Sequence, residues 1–241
     1  MNRKKTLKLA LIFLVILVVA GAVYGSYWLY QKYQTKQVVD NKAGLVARMT
    51  SFDVKDKTID QGTIDRYYEA FNKNKDFFLN HQDNLEAFQT LVNMGLFKQL
   101  VGDYTGAEEI WLYTYKLEPN SYLLNGNLAH LYQYYLKDYP KAEEFYLKAL
   151  ESKDIASANQ YTYFSELYDL YHLNLNDQVK AVETLDKAIK ALPSDINVYL
   201  MAARHYKEAG DYAKARDYYN QALKINPNSL AAKEGLKNLN Q

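Results

Sequence analysis

The feature that most constrains this chain is a ladder of residues that recurs four times in its C-terminal part. Each copy sets Asp, then Ala four residues later, a bulky residue four further on and a small residue three beyond that. The copies run Asp103, Ala107, Trp111, Thr114; Asp138, Ala142, Tyr146, Ala149; Asp177, Ala181, Leu185, Ala188; and Asp211, Ala215, Tyr219, Ala222. Three of them end on Pro five residues later, at Pro119, Pro193 and Pro227, while the second has Asp154 there. The alanines are spaced by 35, 39 and 34 residues. Offsets of four and three place Ala, the bulky residue and the small residue on one face of a helix. Small residues let two helices approach, aromatics fill the gaps, and Pro stops the helix before the next copy. One helix pair cannot bury its apolar face alone, so such copies must stack.

A second helical stretch precedes each ladder. In the fourth copy it reads Tyr199, Ala202, Ala203, Tyr206, then Gly210-Asp211-Tyr212. The matching places hold Leu128, Ala129 and Tyr132 in the second copy and Leu167, Tyr168 and Tyr171 in the third. The first has Leu91, Met94 and Gly95, with Lys98 where an aromatic is usual. Copies two and three each carry one extra residue before the turn. The period near 34 and this residue pattern resemble the tetratricopeptide repeat (TPR). The resemblance spans roughly residues 88–228 and implies an all-α helical solenoid of about four helix pairs. The repeats are expected within 83–228, at about 88–121, 122–157, 161–195 and 196–228. Residues 229–241 read as a C-terminal capping helix, with Leu230, Ala231, Leu236 and Leu239 toward the last repeat. Residues 63–82 read as a leading helix capped by Thr63, with Ile64, Tyr67, Tyr68, Phe71, Phe78 and Leu79 forming its apolar stripe.

The N-terminus is of another kind. Arg3, Lys4, Lys5 and Lys8 precede an uncharged run from Leu9 to Gln31, followed by Tyr24, Tyr27, Trp28, Tyr30 and Tyr33 at its far end. About 20 apolar residues span a hydrocarbon core, and aromatics favour the interface. Residues 1–33 are therefore expected to be a cytoplasmic stub and a single transmembrane anchor, with 34–62 a linker and the repeats extracytoplasmic. A cleaved signal peptide ending at Ala20-Gly21-Ala22 is the rival reading, and the length of the apolar run favours the anchor. Gly21 and Gly25 lie on one face of that helix, where close helix packing would allow a homodimer.

Catalytic chemistry finds little footing. The chain has no Cys, which excludes disulfides, thiolate metal sites and a cysteine nucleophile. His81, His130, His172 and His205 show no metal-ligand spacing, and phosphate-loop and nucleophile-elbow motifs are absent. Glu108-Glu109 and Glu143-Glu144 read as solvated helix faces. A net charge of +1 and the lack of a basic stripe argue against nucleic acid. No enzyme activity, metal or cofactor is expected; a site across repeats would need His130, Asp169 and His172 to converge. Of the 24 Tyr, half fall at the membrane flank and at recurring repeat positions, and the other twelve are shared between helix packing and the binding face.

In the resembling family, the first helices line a groove that holds peptides or partner segments. The matching positions here are Asn127, His130, Gln133, Tyr134, Asp169, His172, Asn197, Arg204 and Lys207. The clamp that some repeat proteins place on terminal carboxylates is not expected, because Val92 and Leu96 occupy its places in the first copy and Glu166 and Met201 later ones. The resemblance thus implies a protein–protein interaction scaffold whose partner is a protein or an extended peptide. Bacterial proteins that look like this often serve envelope or secretion assemblies.

Overall fold

A computed structural model describes residues 42–82 and 85–239. The chain divides into two compact units, residues 1–51 and 52–241. In the first, residues 42–50 are helical, and the Thr50 hydroxyl donates to the Val46 carbonyl at 2.8 Å. Among the described residues no helix is long and apolar enough to cross a membrane. The expected anchor, with Gly21 and Gly25, lies outside the described residues.

The second unit is all-helical. Its leading helix α1 runs Gln61–Asn80. Four pairs follow: α2 (Phe88–Leu100) with α3 (Tyr104–Tyr115), α4 (Tyr122–His130) with α5 (Tyr139–Glu151), α6 (Ser157–Asp169) with α7 (Gln178–Ala191), and α8 (Ile196–Glu208) with α9 (Tyr212–Ile225). Helix α10 (Leu230–Asn238) closes the stack. Helix α1 is capped three residues earlier than expected, by Asp60 rather than Thr63: its carboxylate accepts from the Thr63 N–H at 3.0 Å. The stretch before it, read as linker, docks on the first repeat. Lys55 and Asp56 N–H groups both donate to the Val101 carbonyl, at 2.8 and 2.9 Å, and Phe52 packs on Phe71.

The ladder has a physical meaning at each rung. Its Asp caps the second helix, accepting from the N–H three residues on: Gly106, Lys141, Lys180 and Lys214 at 3.0–3.3 Å. Its alanines are fully buried, as are Trp111 and Tyr146, with Leu185 and Tyr219 nearly so. Small partners on the first helices make room: Gly95 sits under Trp111 and Gly126 under Tyr163. The Trp111 indole N–H donates to the Val92 carbonyl at 3.0 Å, so its polar atom is satisfied in the core.

The turn inside each pair explains the extra residue of repeats two and three. In all four, the ladder Asp N–H donates to one first-helix carbonyl: Lys98, Tyr132, Tyr171 and Tyr206 at 2.8–3.0 Å. The residue before Asp takes a left-handed conformation, at Gly102, Lys137, Asn176 and Gly210. Repeats one and four close this link over five residues, and repeats two and three over six. The additional residue is absorbed as π-helical turns at Leu131–Leu136 and Leu170–Asn174.

Tyrosines then stitch one repeat to the next. The Tyr132 hydroxyl donates to Glu108 at 2.7 Å and Tyr171 to Glu143 at 2.8 Å. Lys141 and Lys180 lie over the two rings and pair with the same carboxylates, at 3.5 and 2.7 Å. Glu108 and Glu143 are thus inter-repeat ties, not the solvated carboxylates their spacing suggested. The corresponding place in the third repeat is Val182, and there Tyr206 stacks on Tyr218 instead, with Lys214 over its ring. The cap α10 also differs from expectation: Ala232 and Gly235 are buried, Gly235 against Tyr219, while Leu230 is 73% exposed.

Candidate functional site

The first helices α2, α4, α6 and α8 carry the positions expected to meet a partner. On α4, Asn127 and His130 are half-buried. The His130 ring lies 4.6 Å from Tyr134 and 5.7 Å from Tyr135, and burial pushes its pKa down. Tyr134 is 39% exposed. Its hydroxyl is pushed up to about 12, mainly by burial and then by Glu166 and Asp169, which places it within the field of two carboxylates from the next repeat.

Gln133 departs from the expected face. The π turn rotates it inward to 1% exposure, where its amide donates to Asn174 at 2.9 Å and its carbonyl accepts from the Tyr146 hydroxyl at 2.7 Å. It joins the two π turns to each other and belongs to the interior.

On α6, Glu166 and Asp169 are half-buried. Burial pushes both carboxyls above their ordinary range; the Tyr146 hydroxyl pulls Glu166 back in part, and His172 and Arg204 do so for Asp169. Next to them, His172 stacks on Tyr168 at 5.2 Å, bonds Gln178 through Nδ1 at 2.9 Å and faces Glu208 at 3.7 Å. The Tyr168 hydroxyl lies 3.0 Å from Nδ1 of buried His205.

On α8, Arg204 is exposed and Lys207 half-buried. Asn197 is exposed, but its side chain and backbone N–H both bond Asp195 at 2.9 Å, so it serves the start of its own helix. The structure therefore brings together Tyr134, Asp169, His172 and Arg204, and sets Gln133 and Asn197 apart. Glu166, Tyr135, Tyr168, His205 and Glu208 join them, although the sequence pattern did not single them out as contact residues. Glu166 alone left a signal, as an acid where a clamp needs a base.

Catalytic convergence is not found at these residues. His130 meets tyrosines, whereas Asp169 and His172 meet α8. Two clefts, of about 810 and 490 Å³, open at inter-repeat loops instead, around Pro119 and Asp154 and around Pro193 and Ser157. Among the described residues, no group of three or more His, Asp or Glu is placed to hold a metal ion.

Comparison with known proteins agrees with this architecture. Residues 124–154 and 196–229 match family models of the tetratricopeptide repeat. A TPR repeat-containing protein of Methanocaldococcus jannaschii is 41% identical over 92 residues, which is 37% of this chain and 15% of that protein. The chain thus spans a small part of that relative's length. Among solved structures, MamA aligns with TM-score 0.53 at 19% identity, covering 73% of this chain and 95% of its own. A tetratricopeptide repeat protein from Parabacteroides merdae aligns with TM-score 0.52 at 19% identity, covering 73% and 72%. At these identities the likeness is one of fold. The chain carries tetratricopeptide repeats stacked as an all-α solenoid.

Proposed function

We propose that this chain is a membrane-anchored scaffold that binds a partner protein, or an extended segment of one, on the first-helix face of its repeats. The observation that carries the reading is a set of first-helix side chains left accessible by packing, Tyr134 and Arg204 among them. The second helices, by contrast, spend Glu108, Glu143, Lys141 and Lys180 on holding repeats together. Tetratricopeptide-repeat proteins are typically non-enzymatic scaffolds, which supports the same reading.

The anchor rests on the apolar run Leu9–Gln31 and its aromatic flank. The charges of Arg3, Lys4, Lys5 and Lys8 favour an N-terminus inside and repeats outside the cytoplasm, in an envelope or secretion-related assembly. Gly21 and Gly25 offer a helix face for self-association.

The test is site-specific photo-crosslinking in intact cells, with the crosslinker at Tyr134 or Arg204 and, as control, at exposed Lys187 on a second helix. The expected result is one partner adduct from the two first-helix sites and none from Lys187. Adducts only to the chain itself, or equal yields from all three sites, overturn the reading. Protease protection in spheroplasts tests the orientation. The intact mass of the mature protein separates an anchor from a released form beginning at Val23, and retention of dimerisation in Gly21→Leu would remove the proposed self-association.

A further inference from the structure

Resting on the scaffold reading above, we propose that the first-helix face of repeats two and three receives an extended partner segment whose lysine or arginine side chain, flanked by apolar residues, sits between Glu166 and Asp169.

Charge is the first argument. The buried and half-buried carboxylates of the second helices and turns have cationic partners within the chain: Asp103 pairs with Lys55 and Lys98, Glu108 with Lys141, and Glu143 with Lys180. Glu166 and Asp169 form no ion pair among the described residues. His172 and Arg204 offset part of the Asp169 charge from a distance, but a carboxylate drawn partly out of water without a cation in contact costs free energy, and the fold bears that cost at two neighbouring positions one helical turn apart. Burial lifts both pKa values, as expected for negative charge that nothing in the chain offsets fully. An incoming ammonium or guanidinium would supply the missing charge. An anionic segment would meet repulsion there.

Apolar surface is the second, independent argument. The six-residue turns of repeats two and three place Tyr134 and Tyr135, then Leu173 and Leu175, at 39–68% exposure. Gln133 and Asn174 tie the two turns together, so these side chains flank a joined pair of turns, and Tyr134 lies within the field of Glu166 and Asp169. Repeats one and four turn at Gly102 and Gly210, one residue sooner. Large exposed apolar groups beside desolvated charges suit a segment that alternates a cation with aliphatic or aromatic residues.

The experiment uses the full chain in detergent micelles and an immobilised library of short synthetic peptides of random sequence. Selected peptides are expected to carry Lys or Arg next to apolar residues. Acetylating the selected lysine is expected to weaken binding about tenfold or more, and Glu166→Gln with Asp169→Asn to weaken the unmodified peptide by a similar factor. The two losses should not add, because each removes the same pair. The peptide-side change leaves the protein untouched, so it reads the interaction even if the double variant folds poorly. Selection of acidic or uncharged peptides, or equal binding of acetylated and unmodified lysine, overturns this inference and leaves the scaffold reading standing. Failure to select any peptide overturns this inference, and together with photo-crosslinking that captures no partner it overturns both.

Discussion

Lys98 Nζ lies 3.0 Å from Asp103 Oδ2, with both side chains almost wholly out of water. Lys98 stands where the other repeats have Tyr, and Asp103 also caps α3 and pairs with Lys55 at 2.8 Å. Asp103→Ala would leave a buried ammonium without its carboxylate. The expected cost is about 3–5 kcal/mol in a urea titration. Lys98→Met should cost far less, because Asp103 keeps Lys55. Burial alone would raise the Asp103 carboxyl, yet Lys55 and Lys98 hold it below the ordinary range. Its contribution is therefore present above the unfolded value, about 3.9, and is lost as pH falls through the lower folded one. Asp103→Asn should lack this part of the acid transition.

His205 titrates with another consequence. It is buried on α8 beside Tyr168 and His172, and burial, then His172 and Lys214, lower its pKa, with Glu208 opposing. The unfolded chain takes up the proton first, at about 6.5. Stability should be full above that pH and fall below it, as the unfolded state gains protons that the folded one refuses. Melting curves from pH 7.5 to 5 are expected to slope less steeply in His205→Gln than in the parent chain. Tyr168→Phe should cost about 1 kcal/mol.

Glycines separate by what faces them. A Cβ on Gly95 would enter the Trp111 ring and one on Gly126 the Tyr163 ring, whereas Gly210 faces open space with φ at +78°. Gly95→Ala is expected to destabilise by roughly 1–3 kcal/mol through overpacking. Gly210→Ala should lose only the left-handed backbone preference, about 1 kcal/mol. Lys137 holds the matching conformation at φ 57° without being glycine, so Lys137→Gly should raise the melting temperature slightly.

Glu166 and Asp169 give the reverse sign. Their folded pKa values are raised, chiefly by burial, so the unfolded chain releases these protons more readily. Stability declines as pH rises from the unfolded value through the folded one and stays reduced at neutral pH. Glu166→Gln and Asp169→Asn are each expected to raise the melting temperature by roughly 1–3 °C at pH 7 and to give no gain below pH 4.

The ladder was legible because its meaning is local. Asp caps the helix it begins, and Ala and the bulky residue share a face at fixed offsets. The slip in repeats two and three was visible as an extra residue. Its form was not, since the backbone chooses π turns in order to keep Asp138 and Asp177 bonded to the carbonyls of Tyr132 and Tyr171. That choice turned Gln133 inward, which no spacing argument registers. Glu108 and Glu143 looked solvated because their partners, Tyr132 and Tyr171, come from the next repeat, 24 and 28 residues away. On α10 the pattern favoured large residues at the seam, whereas Tyr219 needed small ones, Ala232 and Gly235.

The segment after Phe52 meets the first repeat through two N–H groups that share one oxygen, that of Val101. A tensile load entering from the N-terminal side is borne by the packing of Phe52 on Phe71, then by that single acceptor and the Lys55–Asp103 contact at the edge of the repeat. None of these links involves Trp111, whose seam lies between the two helices of the first repeat. Under traction the strap is therefore expected to peel over a short length before any helix is drawn from the stack.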